Sequence, residues 1–214
     1  MNTTTRIFAA ALLSNFAVSL AAAGGFYAGG EMGVSTVPDL SGAAAQTMAN
    51  SGYPTVTVSQ NKGSGVAGIF GGQWVTDNFG WEAGLASLGY IRGRVAATNG
   101  TSTIFTSYRY SAGALSLAAM GGIDITADGK LFFKAGLFGA GVTYNGPTST
   151  VSANSSGPML SGGFSYRVMK HLSARVELAN YIGVRFPNFE FFTPANNTTK
   201  SNITTLTVGA AYEF

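Results

Sequence analysis

In this 214-residue chain, the side chains whose types and spacing most resemble a catalytic group are His171, Ser173 and Glu177. A histidine close to a serine, with an acid nearby, is the composition of a serine nucleophile activated by a general base. In an extended segment these three side chains share one face, because side chains alternate between faces. The chain contains this single histidine and no cysteine, so an ordinary zinc cluster is excluded. No Walker phosphate-binding pattern occurs, and we predict no metal site and no cofactor.

Charged side chains are rare, at 10% of the residues against about 25% in a typical soluble domain. Seven of them alternate along the chain with apolar neighbours, and they are Glu31, Glu82, Lys134, Arg167, Arg175, Glu177 and Glu213. Four acids and three bases on the charged faces of strands favour an ion-pair network, because an uncompensated buried charge is expensive. The net charge of +3 is too small to indicate a nucleic-acid partner.

The last twelve residues show what kind of element carries these charges. Over Ile203–Phe214 every second residue is apolar, and the sequence ends on an aromatic residue. A period of two predicts a β-strand with two different faces. Low charge, 30 glycines and no apolar run long enough for a membrane helix after the first 23 residues are together typical of a transmembrane barrel.

Residues 1–23 have the pattern of a secretory signal peptide. Arg6 precedes an apolar stretch, and alanines 21–23 supply the small residues of a cleavage site. We therefore predict that residues 24–214 form the folded domain.

Eight strand-like segments follow, and none has a convincing helical period. They are Phe26–Thr36, Gly65–Val75, Trp81–Gly93, Thr106–Gly122, Leu131–Tyr144, Met159–Val168, Ser173–Phe186 and Ile203–Phe214. Their connections alternate between short turns and long polar loops, which is the pattern of an outer-membrane barrel with short periplasmic turns. We predict an all-β fold, an eight-stranded antiparallel up-and-down transmembrane β-barrel. Its apolar faces would meet lipid, and its charged faces would line the lumen.

Aromatic residues concentrate near the predicted strand ends, as membrane interfaces favour. The predicted periplasmic belt consists of Phe26, Tyr27, Trp74, Trp81, Phe132, Phe133, Tyr166, Tyr212 and Phe214. The predicted extracellular belt consists of Tyr90, Tyr108, Tyr110, Tyr144, Phe186 and Phe189.

Five stretches together span nearly all of the predicted domain. They are GFYAGGEMG at 25–33, TDNFGWEAGLASLGY at 76–90, LFFKAGLFGAGV at 131–142, GGFSYRVMKHLSARVELANY at 162–181 and AAYEF at 210–214. In order and spacing they resemble the OmpA-like or opacity-type family of small outer-membrane barrels, often labelled porin family proteins. The resemblance implies a bacterial outer-membrane location after export through the periplasm. It also implies that Tyr212 and Phe214 form a terminal signal recognised by the barrel assembly machinery.

The function expected from this pattern is that of a non-enzymatic structural and surface protein. Its long loops, chiefly Val37–Ser64 and Pro187–Asn202, would recognise or adhere to a host or surface ligand. The alternative is a small porin, which requires a continuous water path for ions or small solutes. A remoter alternative is a lipid A-modifying enzyme. The strand order disfavours it, because it puts His171 in a short periplasmic turn, so we predict no catalytic residue.

Four arginines, Arg92, Arg94, Arg109 and Arg185, fall near the predicted extracellular rim. Guanidinium groups can hold phosphate through two hydrogen bonds at once. The outer leaflet offers the phosphates of lipopolysaccharide, which makes this rim a candidate lipopolysaccharide-binding site. The competing interpretation is that these arginines are ordinary solvated strand ends.

Overall fold

The computed structural model describes residues 25–146, 150–187 and 198–214. These residues form nine β-strands and one α-helix. In chain order they are β1 (Phe26–Thr36), α1 (Ser41–Asn50), β2 (Thr55–Gln60), β3 (Gly63–Trp74), β4 (Phe79–Thr98), β5 (Thr103–Asp124), β6 (Gly129–Asn145), β7 (Thr150–Met169), β8 (Leu172–Pro187) and β9 (Thr198–Glu213). No helix within these ranges is long and apolar enough to cross a membrane. The predicted signal peptide lies outside the described residues and stays a prediction.

Within the described ranges, eight strands close into one antiparallel ring in the order β1, β3, β4, β5, β6, β7, β8, β9. The last strand returns to the first, with Val208 opposite Met32 and Tyr212 opposite Ala28. Closure pairs the backbone of every ring strand on both sides, which removes the exposed edges of an open sheet. The predicted eight-stranded antiparallel up-and-down barrel is thereby confirmed.

The predicted polar loop Val37–Ser64 is more ordered than expected. It contains α1 and the extra strand β2, which pairs with the outer end of β4 through Thr55 opposite Thr98 and Gln60 opposite Gly93. The alternation of Val56 and Val58 with polar residues indicates a strand on its own. β2 is absent from the predicted strands because the surrounding segment is rich in serine, threonine and asparagine, which are typical of loops.

A belt of exposed apolar side chains surrounds the half of the barrel nearest the short turns. Between 46% and 69% of the surface of each is exposed, and they include Met32, Val34, Ile69, Leu85, Leu115, Leu117, Phe133, Leu137, Val176, Leu178, Leu206 and Val208. A continuous belt of this kind is far larger than the apolar patches of water-soluble proteins. It has the character of the lipid-facing surface of a transmembrane barrel.

Nearer the long loops the two faces of the wall exchange character. On β5 the polar side chains of Ser107, Arg109 and Ser111 point outward, whereas Tyr108 and Tyr110 point inward and are buried. This end of the barrel is therefore apolar inside and mostly polar outside, with Phe105, at 81% exposure, as an apolar exception on β5.

The predicted extracellular aromatic belt is consequently wrong. Tyr108, Tyr110, Tyr144 and Phe186 are 0–3% exposed and belong to one interior cluster, while Tyr90 is 36% exposed. The sixth member, Phe189, lies outside the described residues. The prediction places these rings at a membrane interface. Their strands continue past the apolar belt, however, and there the inward side chains are buried in the barrel and the outward side chains are exposed to water.

The periplasmic belt needs a smaller correction. Tyr27 and Phe132 are buried in the lumen, at 5% and 2% exposure. Phe133, Tyr212 and Phe214 are more than half exposed on the outside. Each inward-facing aromatic residue is next to an outward-facing one in sequence or in register. Position along the strand therefore does not show which aromatic residues face the lumen and which face lipid.

Two β-bulges shift which residues face inward at the change of environment. The register slips between Ser87 and Gly89 on β4 and between Tyr181 and Val184 on β8. Gly89 and Gly183 both have positive φ, at 96° and 83°, a conformation that glycine adopts without strain. Beyond the second bulge Val184 and Phe186 turn inward and Arg185 turns outward, so these two apolar residues do not continue the lipid-facing row of Val176 and Leu178.

We predict that Gly89→Ala destabilises the barrel by about 1–3 kcal/mol, because the backbone is left-handed there. A Cβ at this position would also lie 2.7 Å from Ser64 Oγ. Urea unfolding in lipid vesicles would measure the change. Gly139→Ala is the matched control, since no atom lies within 4 Å of its Cβ position. Equal stability of the two variants would contradict the assigned role of the bulge.

Candidate functional site

The lumen holds a cluster of four charged side chains at mid-height of the apolar belt, here called the ion cluster. It consists of Glu82 on β4, Lys134 on β6, and Arg175 and Glu177 on β8. Lys134 Nζ lies 2.7 Å from Glu82 Oε1 and 2.5 Å from Glu177 Oε1. Arg175 Nη1 lies 2.7 Å from Glu82 Oε2, and Arg175 Nη2 pairs with Glu177. Each base therefore contacts both acids, and the ion cluster joins three strands around the ring.

Aromatic rings pack directly against the ion cluster. The Arg175 guanidinium lies 4.1 Å from the ring centre of Phe70 and 4.8 Å from that of Phe132. The Tyr27 hydroxyl donates a hydrogen bond to Glu82 Oε2 at 2.9 Å. Gly163 makes room for one of these rings, because a Cβ there would lie 2.5 Å from Phe132 Cζ. Sequence reasoning missed the rings, although a phenylalanine in mid-strand at position 70 was the available signal.

Because the ion cluster is buried, its acidic and basic side chains must balance for the fold to be stable. The four side chains are only 4–6% exposed, and two acids face two bases. Removing an ion from water costs several kcal/mol, which a close opposite charge with good hydrogen bonds offsets. The arrangement can hold strands in register, but deleting one member would leave another charge uncompensated.

The three other residues of the predicted network lie outside the ion cluster. Glu31 is half-buried at its edge and accepts a hydrogen bond from Thr207 Oγ1 at 2.9 Å. Arg167 and Glu213 line a cavity of about 430 Å³ at the short-turn end, with Arg175 at its inner boundary. The structure thus brings together four of the seven predicted residues, and it leaves Arg167 exposed at the mouth of the barrel.

A second layer fills the lumen toward the long loops, here called the aromatic core. Tyr110 lies 5.0 Å from Tyr144 and 5.9 Å from Phe186 between ring centres, and all three are almost fully buried. Ala44 and Met48 of α1 are completely buried in the same cluster. The helix begins just after Asp39, whose Oδ1 accepts a hydrogen bond from Ser41 N at 2.9 Å. The hydrogen bonds from Ser41 hold the pKa of the Asp39 carboxyl below its usual value.

The residues that first suggested hydrolysis do not form a catalytic arrangement. His171 is exposed in the turn between β7 and β8, with Nδ1 3.1 Å from the Glu213 carbonyl oxygen. Ser173 is buried and donates to the Ala211 carbonyl oxygen at 3.5 Å. Glu177 is engaged in the ion cluster. Among the described residues, no group of three His, Asp or Glu side chains could hold a metal ion.

The four predicted rim arginines separate into two places. Arg92 and Arg94 on β4 and Arg109 on β5 project outward from adjacent strands. Arg185 lies on β8, across the ring from β4, where its register partner is Lys200. The prediction of one four-arginine rim is therefore corrected to a cluster of three and a separate Arg185.

We predict that Arg175→Met lowers the free energy of unfolding by about 3–5 kcal/mol, because Glu82 and Glu177 would share a single base. Urea unfolding in phospholipid vesicles would measure this loss. Arg167→Met is the control, since this exposed arginine should contribute at most about 1 kcal/mol. Similar losses in the two variants would show that burial of the ion cluster does not govern stability.

Comparison with known protein families and solved structures finds the same barrel architecture. A model of the OmpA-like transmembrane domain matches residues 21–214. The fold is similar to that of neisserial surface protein A, with a TM-score of 0.53 and 13% identity over 88% of this chain and 97% of that one. It is also similar to OprG from Pseudomonas aeruginosa, with a TM-score of 0.54 and 13% identity over 90% and 96% of the two chains.

A third similar structure is the N-terminal β-barrel domain of Pseudomonas aeruginosa OprF, with a TM-score of 0.51 and 10% identity over 89% of this chain and 98% of that one. At such low identity these likenesses concern the fold alone. No match was found among proteins of curated function. The family match covers the whole barrel, its closing strand included, and the chain therefore belongs to the OmpA-like transmembrane domain family of the bacterial outer membrane.

Proposed function

We propose that this protein is a non-conducting, non-enzymatic outer-membrane barrel that presents a preformed extracellular surface for recognition or adhesion. The observation that carries the proposal is the filling of the lumen at two separate levels. The ion cluster occupies the membrane level, and the aromatic core occupies the extracellular level.

These two layers leave little room for a water path. An eight-stranded barrel is just wide enough for side chains to fill it. The cavity beside the ion cluster has a volume of about 20 Å³, which is room for about one water molecule. The larger cavity of about 430 Å³ opens at the periplasmic end and is bounded by Arg175, Tyr27 and Phe132. The porin alternative requires a path through both layers.

The extracellular part supports the recognition role through its order. β2 extends the sheet along β4, and α1 packs on the aromatic core, so most of the longest predicted loop has a defined structure. A surface that is ordered before binding loses less conformational entropy when a partner docks. The second predicted recognition loop, Pro187–Asn202, lies mostly outside the described residues.

We predict that the purified protein produces no stable single-channel steps in planar lipid bilayers. Any conduction would have to disrupt the ion cluster and the aromatic core together. A general porin inserted under the same conditions is the positive control, and protein-free detergent is the negative one. Reproducible, sizeable steps from the folded protein would overturn the non-conducting role in favour of the small porin.

The chain terminus supports a separate proposal about assembly. Tyr212 and Phe214 face outward with 51% and 65% exposure, and their rings lie 5.4 Å apart. The Phe214 N–H donates to the Phe26 carbonyl oxygen at 3.0 Å, which places the terminus at the seam between β9 and β1. We propose that the assembly machinery reads these two exposed rings before the seam closes.

Phe214→Ala should reduce the amount of folded protein in the outer membrane by at least about tenfold, provided that recognition of the terminus precedes insertion. Heat-modifiable mobility on gels of membrane fractions measures the folded amount. Phe133→Ala removes the same side chain from another exposed position, at 55% exposure, and should have little effect on yield. Normal yield of the Phe214 variant would disprove the signal.

A further inference from the structure

We propose that Arg92, Arg94 and Arg109, together with Tyr90, form a site for the phosphate groups of lipopolysaccharide; these four residues are here called the arginine cleft. The inference rests on the outer-membrane location and deepens the proposed surface function by naming one partner. The arginine cleft lies on the outward face of β4 and β5 and not in the lumen.

The register of β4 and β5 sets the arginines close together. Arg92 is directly opposite Arg109, and Arg94 is opposite Ser107 on the next outward pair. The guanidinium carbon of Arg92 lies 4.6 Å from the ring centre of Tyr90, and that of Arg109 lies 5.3 Å from it. One ring therefore positions two guanidinium groups through cation–π contact.

The backbone beneath the arginine cleft is fixed by Asn61, in the turn between β2 and β3. Its Oδ1 accepts a hydrogen bond from Arg92 N at 2.6 Å, and its N–H donates to the Arg92 carbonyl oxygen at 3.1 Å. Its Nδ2 donates to the Tyr90 carbonyl oxygen at 3.1 Å. The Cα positions of the two residues are thus held by three hydrogen bonds before any ligand arrives.

No acid among the described residues compensates the charge of the arginine cleft. Within the described part of the chain, none of its three arginines is in an ion pair. Like charges directly opposite each other on paired strands are destabilising, which applies to Arg92 and Arg109. Asp39 is the one carboxylate among the described residues of the extracellular part, and it is engaged by Ser41. A bound dianion would remove the repulsion.

The height of the arginine cleft matches the level of lipid headgroups. On the outward face, Leu85 and Leu115 are paired at the upper part of the apolar belt, and Tyr90 follows on β4 before the arginines. With a rise of about 3.3 Å per residue and a tilt of about 40°, Arg109 lies roughly 35 Å along the barrel axis from Ile123 at the periplasmic end of β5. The apolar band of such barrels is about 25 Å tall, so the arginines lie just beyond it.

The size and lining of the arginine cleft suit a phosphorylated sugar. The groove beside the three arginines has a volume of about 930 Å³, and Ser59, Phe105, Ser107 and Asn145 also line it. Guanidinium groups bind phosphate through paired hydrogen bonds, and the serine hydroxyls and the Asn145 amide can hydrogen-bond sugar hydroxyls. Phosphate groups on the glucosamine headgroup of lipid A offer both kinds of partner at this height.

The test is binding of diphosphoryl lipid A to the folded protein in zwitterionic detergent, measured by native mass spectrometry. The variant Arg92→Gln/Arg94→Gln/Arg109→Gln should bind at least about tenfold more weakly, because several charge-assisted hydrogen bonds are lost. Arg185→Gln is the matched control, since it removes an exposed extracellular arginine from the opposite side of the ring, and it should change affinity less than about twofold. Heat-modifiable mobility verifies that each variant is folded.

Three further ligands test the specificity of the site: lipid A without phosphates, inorganic phosphate and a soluble sulfated polysaccharide. Lipid A without its phosphates should bind the wild-type protein at least about tenfold more weakly, and inorganic phosphate at the same concentration should not displace lipid A. Equal binding by the triple variant, an equal loss in Arg185→Gln, or displacement by inorganic phosphate would each overturn the site. Tighter binding of a soluble sulfated polysaccharide than of lipid A would also overturn it. Conductance plays no part in these readouts, so failure here is distinguishable from failure of the non-conducting role.

Discussion

The narrow interior of a closed eight-stranded ring is the constraint on which the rest of this structure depends. Closure satisfies the backbone of each ring strand, but it also forces inward side chains from opposite walls into contact. A charge buried in that space needs an opposite charge or a hydrogen-bond partner, and an aromatic side chain needs a gap in the opposite wall. The ion cluster meets the first requirement through two acids and two bases. Inward glycines such as Gly163 meet the second.

One part of the barrel is surrounded by lipid and the other by water, and each environment requires a different outer face. Within lipid the wall is apolar outside, so polar and charged residues can occupy the inside. Beyond lipid the outside must be polar, and the inside can become a conventional hydrophobic core. On β5 the change is made by sequence alone, whereas β4 and β8 use bulges at Gly89 and Gly183 to turn the next residues over. The bulges therefore lie where the surroundings of the barrel change from lipid to water, and they turn the following side chains to the face that the new solvent requires.

Much of the fold and part of the site could be predicted from alternation. It predicted the eight ring strands and their order, and it placed Glu82, Lys134, Arg175 and Glu177 on lumen-facing positions, because within lipid charged residues have no other place to face. Alternation does not reveal where lipid ends. For that reason Tyr108, Tyr110 and Tyr144 were assigned to an outer belt, and Arg185 was grouped with arginines on the opposite side of the ring. The order of α1 depends on contacts with the aromatic core, which no local pattern contains, whereas the alternation of Val56 and Val58 is a local signal for β2.

The placement of charge follows from the same boundary. Opposite charges are held together in the lumen, where desolvation makes an isolated charge very costly. Like charges lie side by side at Arg92 and Arg109, where water and salt weaken their repulsion without removing it. That arrangement would be hard to explain in the lumen, and it is easily explained at the level where the lipids themselves carry negative charge. In the described part of the extracellular end, the aromatic core and not surface ion pairs holds the strands together, so arginines can lie on the outer face without acidic partners.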